Sequence, residues 1–535
     1  MHDVVIIGGG HNGLVCSAYL AMAGLKVLVL DQRPVAGGAA VTEEFSPGFR
    51  NSVASYAVSL LNPKIIRDLD LAVHGLRIVD RPVSNFLPLG DGSFLKVGGS
   101  RTKREVAKFS ARDAGRLDDY QRRLAAVADI LRASVLETPP NVVEGSPFSA
   151  IAELFKAGRI AKRIRALGLD LQRDLLDLFA ASAGDFLDSW FESAPIKAAF
   201  GFDSVVGNYA SPYTPGSAYV LLHHSFGEVN GKKGVWGHAI GGMGAITQAM
   251  AKAATAHGVT IRLSTRVRRV VVENGRAIGV ETDKGETIRA AAVAAGINPK
   301  LLYLHLVDAR ALPEGFRRRM ENWRCGSGTF RMNVALSELP DFTDLPGHAT
   351  AEHHASGIII APSLAYMEQA YFDARTFGWS RRPIIELVIP STLDGTLAPR
   401  GQHVASLFCQ HVAPKLSDGS SWDDHREAVA DLMIETVSDH APNFRRSVLA
   451  RQIFSPLDLE RTFGLIGGDI FHGALDLRQI FSARPMLGYA DYRGPIAGLY
   501  LCGSGGHPGG GVTGAPGHNA AREILRDFKR KRITR

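Results

Sequence analysis

A glycine motif between two apolar segments dominates the N-terminal part of the chain. The β-forming residues Val4–Ile7 lead directly into GGGHNG at positions 8–13, which has the spacing G-x-G-x-x-G. Small and apolar residues at helical spacing follow, and Lys26–Leu30 is a second β-forming segment that ends at Asp31. This order predicts a strand–helix–strand unit of the Rossmann type, in which the glycine loop binds a dinucleotide.

Each glycine of this motif has a mechanical role in such a unit. Gly8 permits the tight turn, Gly10 lets the main chain approach a pyrophosphate, and Gly13 lets the helix pack on the sheet. The helix N-terminus offers free N–H groups and the positive end of its dipole to the phosphates. Asp31, 18 residues after Gly13, is placed to accept hydrogen bonds from a ribose diol.

Two further glycine-rich segments favour FAD over a nicotinamide cofactor. A Gly37-Gly38 doublet follows the second strand, and near the other end a strand predicted over Leu499–Cys502 enters a glycine loop that opens a helix to about Phe528. A helix N-terminus beside the flavin pyrimidine ring would stabilise the charge that develops on reduction. The predicted FAD-binding residues are Gly8, Gly10, His11, Asn12, Gly13, Asp31, Gln32, Arg33, Gly37, Gly38, Ala39, Ala40, Val267, Gly503, Pro508, Gly510, Gly511, Val512 and Thr513.

The middle of the chain contains a second strand-rich region. GGMGA at 241–245 opens a helix to His257, and hairpin turns at Asn274-Gly275 and Lys284-Gly285 separate short β-forming segments. The predicted strands are Val259–Leu263, Val267–Glu273, Ala277–Thr282, Glu286–Arg289 and Ala291–Ala295. A β-meander inserted in a Rossmann unit is typical of two-domain flavoproteins.

Composition excludes several other classes of protein. The chain has 535 residues, which at about 150 residues per domain predicts two to four folding units. Four cysteines lie far apart in sequence, without C-x-x-C or zinc-ligand spacing, so a disulfide framework, a dithiol centre and a metal site are not expected. The net charge of +8 comes without a basic stripe interleaved with aromatic residues, so nucleic acid is not an expected partner. No apolar run reaches the length of a membrane span, and we expect a cytoplasmic protein.

Motifs spread along the chain resemble those of the phytoene desaturase-like FAD-dependent oxidoreductases, and within them the branch named pyridine nucleotide-disulfide oxidoreductase domain-containing protein 2. The resemblance implies an α/β two-domain flavoprotein. Its discontinuous Rossmann-type FAD domain would comprise residues 1–75, 235–300 and 485–535, and a mixed α+β substrate domain residues 76–234 and 301–484. The motifs are GGGHNG (8–13), GGAAVTEE (37–44), FLDSWFES (186–193), SPYTPGSAYVLLHH (211–224), GGMGAI (241–246) and LYLCGSGGHPGGGVTGAPG (499–517).

The expected function is an FAD-dependent oxidoreductase: a desaturase, dehydrogenase or oxidase that abstracts hydride from an apolar, unsaturated or isoprenoid-like small molecule. Two other hypotheses stay open at this point. A redox-neutral flavin-dependent isomerase would return a product of unchanged mass. A flavin-stabilised interaction protein would bind FAD and turn over little.

Histidines near the glycine segments are the candidates for proton transfer. His507 lies in the C-terminal glycine loop and His238 lies just before Gly241, so both are predicted to face the flavin cavity as catalytic residues. His223 and His224 are expected in a strand, where adjacent side chains point to opposite faces. A basic amphipathic helix predicted over residues 154–175 either packs on its own domain or rests on an anionic membrane surface.

Overall fold

The computed structural model describes residues 1–141, 143, 147–347 and 349–534. Within these ranges, two seven-stranded sheets organise the chain. The strands are β1 (His2–Ile7), β2 (Val27–Leu30), β3 (Thr42–Ser46), β4 (Phe49–Ser52), β5 (Ile78–Asp80), β6 (Asn85–Pro88), β7 (Phe94–Val97), β8 (Glu228–Val229), β9 (Lys232–Lys233), β10 (Gly237–Ala239), β11 (Thr260–Arg262), β12 (Val267–Glu273), β13 (Arg276–Thr282), β14 (Thr287–Ala295), β15 (Thr329–Leu336), β16 (Gly357–Ile360), β17 (Trp379–Val388), β18 (His403–Val412), β19 (Val448–Phe454) and β20 (Leu499–Leu501).

Helices cover the faces of both sheets. Short 3₁₀ turns and a π-helical turn at Leu301–Leu306 complete the described elements. The α-helices are α1 (His11–Met22), α2 (Pro63–Asp68), α3 (Thr102–Val106), α4 (Ala111–Ser134), α5 (Pro147–Arg165), α6 (Leu169–Ala180), α7 (Ala183–Trp190), α8 (Ala194–Val205), α9 (Ser217–His224), α10 (Met243–Ala256), α11 (Glu314–Glu321), α12 (Leu364–Phe377), α13 (Trp422–His440), α14 (Phe444–Ser447), α15 (Pro456–Phe463) and α16 (Ala515–Lys529).

The first sheet joins strands that are far apart in sequence. Five parallel strands stand in the order β11-β2-β1-β14-β20, so β1 lies at the centre, as in a Rossmann fold. The N-terminal half of β14 pairs antiparallel with β13, which pairs in turn with β12. The prediction of separate strands at Glu286–Arg289 and Ala291–Ala295 was wrong, because no turn residue separates them. The single nine-residue strand β14 pairs with β13 of the meander and with the parallel strands β1 and β20.

Two apolar cores lie on opposite faces of this first sheet. Helices α1, α10 and α16 pack on one face and bury residues such as Leu14, Ile246 and Ile524. On the other face, Leu302 and Met320 join the β-strand side chains in a second core. The first sheet therefore draws its strands from all three predicted segments of the FAD domain, but its core continues past the predicted boundary at residue 300, because the segment after β14 folds back onto the same sheet.

The second sheet has the order β19-β15-β18-β17-β16-β6-β7. Neighbouring strands are antiparallel except for β6 and β16, which are parallel. Helix α13 covers one face of this sheet, and helices α4, α7, α8, α9 and α12 form a core on the other. All of its strands come from residues 76–234 and 301–484, the two predicted segments of the substrate domain.

The basic region predicted as one helix over residues 154–175 is two helices. Helix α5 ends at Arg165 and α6 begins after Gly168. A glycine destabilises the interior of a helix, so the chain breaks the helix at this position. Ile164 and Leu175 pack toward the core between the helices, whereas Leu154 and Phe155 are exposed, at 60% and 74%. No helix among the residues with described positions combines the length and apolar character that a membrane crossing requires.

Candidate functional site

The N-terminal glycine loop adopts the geometry that its sequence predicts. Gly8 has φ +96°, a conformation that glycine adopts without strain. A Cβ at Gly13 would lie 2.1 Å from the carbonyl oxygen of Gly8, so a side chain there would separate the helix from the turn. Helix α1 begins after Gly10 without a side-chain cap. Its first N–H groups are therefore available to a ligand at this end of the helix.

The other glycine segments meet this loop. The N–H of Gly37 donates to the carbonyl of Gly9 at 2.8 Å, and a Cβ on Gly38 would lie 3.1 Å from the Cα of Gly10. From the opposite end of the chain, Ser504 accepts a 3.0 Å hydrogen bond from Asn12 Nδ2. These three loops, residues 8–13, 37–40 and 503–514, form the cradle, in which backbone from both ends of the chain converges.

A cavity of about 600 Å³ opens over the cradle, within the range of about 300–1,000 Å³ that is typical of cofactor and ligand sites. Most of the predicted FAD-binding residues contribute to its lining. These are Gly8, Gly10, His11, Asn12, Asp31, Gln32, Arg33, Gly38, Ala39, Ala40, Val267, Gly511 and Val512.

The remaining predicted FAD-binding residues do not line this cavity. They are Gly13, Gly37, Gly503, Pro508, Gly510 and Thr513. Their glycines instead allow close packing beneath it: a Cβ on Gly503 would lie 2.8 Å from the carbonyl carbon of Gly296, and one on Gly510 would lie 2.3 Å from the Phe471 ring. These positions shape the cradle without facing its interior.

Asp31 marks one end of the cavity. Its carboxylate accepts hydrogen bonds from the backbone N–H of Gly9 at 2.7 Å and of Arg33 at 2.8 Å. Burial raises the pKa of this carboxyl, while the two backbone bonds and Arg33 act in the opposite direction. The Arg33 guanidinium stacks 4.7 Å from the centre of the Phe463 ring and pairs with Glu43. In a Rossmann unit this end takes the adenosine ribose.

Several buried polar atoms around the cradle have no hydrogen-bond partner within the part of the chain that the structure describes. They include His11 Nε2, Asn12 Oδ1 and His472 Nδ1, all on residues that line the cavity. Burial lowers the pKa of His11 to about 4 and that of His472 to about 3, so both rings are neutral near pH 7. Because buried polar groups are normally paired, these atoms fit a ligand with phosphate and hydroxyl groups, and the residues present fit FAD.

The far end of the cavity is apolar and aromatic. It adjoins the C-terminal glycine loop, since a Cβ on Gly511 would lie 2.6 Å from Leu60, and this is the loop that the sequence predicts beside the flavin ring. Tyr56 and His224 add a hydroxyl and an imidazole to this wall. This end, the chamber, is lined by Tyr56, Leu60, Val206, His224, Trp236, Phe408, Ile470 and Phe471.

The structure places both predicted catalytic histidines outside the cavity lining, contrary to expectation. His507 is buried with its Nε2 3.2 Å from the carbonyl oxygen of Ser134, on helix α4. Burial lowers its pKa to about 4. The ring packs 5.3 Å from that of Phe481, while Ser504, Gly511 and Val512 of the same loop line the cavity.

His238 instead forms part of a brace beneath the turn at Gly241. Its Nε2 lies 3.2 Å from Asp394 Oδ2, and the same carboxylate oxygen accepts the N–H of Gly241 at 2.6 Å. Thr396 donates to the other oxygen through its N–H and its hydroxyl. Burial opposes ionisation of Asp394, but these donors outweigh it and hold the pKa of Asp394 well below its ordinary value. The brace fixes the start of α10.

Sequence reasoning anticipated few residues of the chamber: Trp236, as a cavity wall beside His238, and at most one of His223 and His224. His223 and His224 lie on helix α9, not on a strand, and only His224 lines the cavity. Its ring stacks on Trp236, with centroids 6.0 Å apart. Tyr56, Phe408 and the other chamber residues carry no motif, since they come from separate elements that only the fold brings together.

The cysteines also have a tertiary relationship that their spacing hides. Cys16 of α1 and Cys502 after β20 are both fully buried in one apolar core, and the neighbouring Cys502 thiol together with burial raises the pKa of Cys16. All four cysteines are free thiols. Both ends of the chain thus contribute to the core beneath α1 and α16.

Comparison with known proteins supports this reading of the cavity. The family described as flavin containing amine oxidoreductase matches residues 13–330. A rat protein named pyridine nucleotide-disulfide oxidoreductase domain-containing protein 2 is 42% identical over 546 residues, covering 99% of this chain and 94% of its own length. The resemblance expected from the sequence motifs is thereby confirmed.

More distant relatives include a limonene dehydrogenase polypeptide of Castellaniella defragrans, which is 26% identical and covers 98% of this chain and 95% of its own. Phytoene desaturase (lycopene-forming) of Pseudescherichia vulneris is 24% identical, with 96% of each chain covered. Among solved structures, an oxidoreductase from Methanosarcina mazei superposes with a TM-score of 0.59 at 16% identity, covering 98% of this chain and 100% of that one. The predicted α/β fold of a two-domain flavoprotein and the FAD cofactor are confirmed.

Proposed function

This chain belongs to the flavin containing amine oxidoreductase family and is an FAD-dependent oxidoreductase, and from that premise we propose that it removes hydride from an apolar, unsaturated or isoprenoid-like molecule. The observation that carries this proposal is the lining of the chamber. Leu60, Trp236 and Phe471 present apolar surface next to the glycine loop at Gly511. Burial of apolar area is the main source of affinity that such walls offer.

The chain itself supplies binding, orientation and exclusion of water. When bound, FAD accepts the hydride, which is the redox chemistry of the reaction. The cradle offers backbone N–H groups and the neutral ring of His11 to the cofactor, and His472 offers a second neutral ring from the adjoining cavity wall. The chamber walls hold a hydrocarbon against the flavin end and keep water from it.

The charge of the chamber agrees with a neutral substrate. Among the chamber residues Tyr56 and His224 can titrate, and none carries a carboxylate. The carboxylates that line the cavity, Asp31 and Glu460, each accept a hydrogen bond from a backbone N–H, of Gly9 and Gly467. Burial lowers the pKa of His224 to about 4, which leaves the ring uncharged near pH 7. A buried charge requires a partner of opposite charge. A cationic amine would find no carboxylate among the chamber residues, so the chamber disfavours it.

The relatives point in the same direction. Limonene and phytoene, the molecules that appear in two of the relatives' names, are both unsaturated hydrocarbons of the isoprenoid type. Those names concern those proteins, and they supply the first substrates to test on this one.

The test is anaerobic reduction of the bound flavin. Purified holoenzyme is mixed with limonene, with phytoene in detergent micelles, or with the diamine putrescine, and the loss of oxidised-flavin absorbance is followed. We expect a hydrocarbon to bleach the flavin and to yield a product two hydrogens lighter. Bleaching by putrescine alone would refute the apolar assignment, and a product of unchanged mass would identify an isomerase.

We also propose that the surface of α5 contacts an anionic membrane, through which such substrates could arrive. Ile151, Leu154 and Phe155 are all more than half exposed on this helix. Basic side chains follow along the same helix, at Arg159 and at Lys162. Apolar side chains beside basic ones are the composition of helices that lie in a membrane interface.

A further inference from the structure

Side chains from three adjacent strands of the second sheet form a row beside the chamber. Arg331 of β15, Phe408 of β18 and Glu386 of β17 stand directly opposite one another in the strand register. Their side chains therefore share one face of the sheet. Phe408 lines the chamber, whereas Arg331 and Glu386 are buried without reaching the cavity, at 0% and 5% exposure.

Tyr56 connects this row to the chamber. Its ring lies 5.3 Å from the ring of Phe408, and the guanidinium carbon of Arg331 lies 4.6 Å from its centre. The Tyr56 hydroxyl donates a hydrogen bond to Glu386 Oε2. Since Tyr56 also lines the cavity, one side chain touches both the space for substrate and a buried carboxylate.

Burial favours uptake of a proton by Glu386. Burial raises the pKa of Glu386, although Arg81 and Arg331 and the bond from Tyr56 oppose that effect. The nearest cation is Arg81, whose Nη1 lies 3.9 Å from Glu386 Oε1. Asp203 also faces this cluster, and burial, with a smaller effect of Glu386, raises its pKa to about 7. A carboxylate with a raised pKa is a stronger base than an exposed one.

The other titratable groups at this end of the cavity are poorly suited to accept a proton. The Nδ1 of His224 lies 2.9 Å from the carbonyl oxygen of Val220, and burial lowers the pKa of this ring to about 4. His472 interacts electrostatically with His11 of the cradle, and burial lowers the pKa of His472 to about 3. An imidazole with so low a pKa is a weak base near pH 7.

We propose that Tyr56 is the catalytic proton acceptor of this oxidoreductase and that Glu386 is its positioning residue, which receives the proton that Tyr56 passes on. This inference rests on the proposed function, because it concerns removal of hydrogen from a hydrocarbon. It assigns a role to two residues that no sequence motif singles out.

The chemistry balances as the loss of one hydride and one proton. One C–H bond breaks and its electron pair leaves with the hydrogen as hydride, which FAD accepts. The C–H bond on the neighbouring carbon breaks and its electron pair becomes the new C=C bond. The proton from that carbon goes to the hydroxyl oxygen of Tyr56 while the proton of Tyr56 moves to Glu386, which leaves a neutral phenol and a neutral carboxylic acid.

The test compares holoenzymes of wild type, Tyr56→Phe and Glu386→Gln with limonene and phytoene as probes. We expect Tyr56→Phe to slow anaerobic flavin reduction by about 100-fold or more, the usual contribution of general base catalysis. Flavin content and the hydrocarbon concentration at half-maximal rate should stay within about twofold of wild type, since the ring still fills the wall. Wild type should reduce its flavin more slowly in D₂O, and both variants should lose that solvent isotope effect, which a merely structural role would not abolish.

Tyr500→Phe is the matched control. Its hydroxyl also donates to a buried carboxylate, that of Asp527 at 2.7 Å, but it does not line the cavity. This variant should reduce its flavin at the wild-type rate. If wild type is reduced and Tyr56→Phe is equally fast with the solvent isotope effect intact, the proton role is refuted while the proposed function stands. If neither probe reduces wild type, the proposed function fails and the proton role fails with it. Should Tyr56→Phe not fold, the isotope effect of Glu386→Gln decides.

Discussion

The cradle and the chamber line one cavity, but the cradle is formed mainly by backbone and the chamber by side chains. The cradle uses backbone: glycines at residues 8–13, 37–40 and 503–514 bring main-chain atoms close together. The chamber uses side chains, such as Trp236, Phe408 and Phe471, that come from separate elements. Backbone recognition suits a ligand that is constant, and a wall of side chains suits one that differs between relatives, because each wall residue can be exchanged without disturbing the main chain.

The two regions should therefore respond differently to substitution. A side chain added in the cradle should abolish cofactor binding, whereas a side chain removed from the chamber should leave FAD bound and weaken substrate binding. The following changes test that separation.

The largest effect is expected from Gly13→Ala. The new Cβ would lie 2.1 Å from the carbonyl oxygen of Gly8, and it meets backbone that has no room to move. We expect FAD affinity to fall by about 100-fold or more, which corresponds to about 2.7 kcal/mol of overpacking. The measurement is the ratio of flavin to protein after gel filtration, followed by titration of the apoprotein with FAD.

Gly158→Ala on helix α5 is the control, since a Cβ there meets open space. It should bind FAD as wild type does and gain up to about 1 kcal/mol in helix stability. Full flavin occupancy in Gly13→Ala would contradict the close packing beneath the cradle.

The next effect concerns pH and the histidine of the chamber. Burial lowers the folded-state pKa of His224 to about 4, so between pH 6.5 and 4 the unfolded chain binds a proton that the folded chain excludes. The stabilisation is complete above about pH 6.5 and is lost as the pH falls toward 4, by roughly 2–3 kcal/mol for this residue. Urea unfolding of the apoprotein at pH 7 and pH 5 measures it.

His224→Gln should make that decrease in stability less steep, because glutamine does not titrate. His257→Gln, at an exposed position after α10, should leave the pH dependence as it is in wild type. An unchanged pH dependence in His224→Gln would show that the ring is not kept neutral in the folded chamber.

A smaller effect is expected from Trp236→Ala. The indole lines the chamber and stacks on His224, and it does not belong to the cradle. Loss of part of its apolar contact with a hydrocarbon should raise the half-saturating concentration about tenfold, or about 1.4 kcal/mol, with flavin content unchanged. Trp190→Ala, at a half-buried tryptophan outside the cavity, is the matched variant that should bind the hydrocarbon normally. Loss of FAD from Trp236→Ala would show that the chamber also binds the cofactor and would contradict the separation of the two regions.

The smallest effect is expected at the surface of α5. Phe155 is 74% exposed there, and Phe155→Ser should weaken co-sedimentation with vesicles of phosphatidylcholine and phosphatidylglycerol about fivefold, or about 1 kcal/mol. Phe372→Ser removes another exposed phenylalanine, on α12, and should not alter sedimentation. Equal sedimentation of wild type and Phe155→Ser would show that Phe155 on α5 does not contact the membrane.

The sequence predicted the cradle well because its signals are local. Glycines at fixed spacing, a β-forming segment before them and a helix after them describe a backbone path that few other residues could follow, and Gly8, Gly10 and Gly38 lie where that path requires. The strand limits of β12 and β13 followed in the same way from their turn residues. The one strand that was predicted as two, β14, lacks any turn signal at Ala290 and continues through it.

The two predicted proton-transfer histidines lie outside the cavity lining for the opposite reason. His507 and His238 lie beside glycine motifs in sequence, but the direction of a side chain depends on which helix or loop packs against it. For His507 that neighbour is α4, and for His238 it is the carboxylate of Asp394. Proximity to a motif along the chain therefore did not predict proximity to the cavity.

The amino-acid sequence by itself determined the dinucleotide fold, the FAD cofactor and the joining of distant segments into one α/β sheet, because these depend on backbone conformation and on apolar patterns that neighbouring residues encode. Only the tertiary structure decided which side chains form the chamber. It also brought the Tyr56 hydroxyl within hydrogen-bond distance of Glu386, which lies 330 positions away in the sequence. Such a contact depends on the register of β15, β17 and β18 and on the docking of the N-terminal segment against them, and no stretch of local sequence records either.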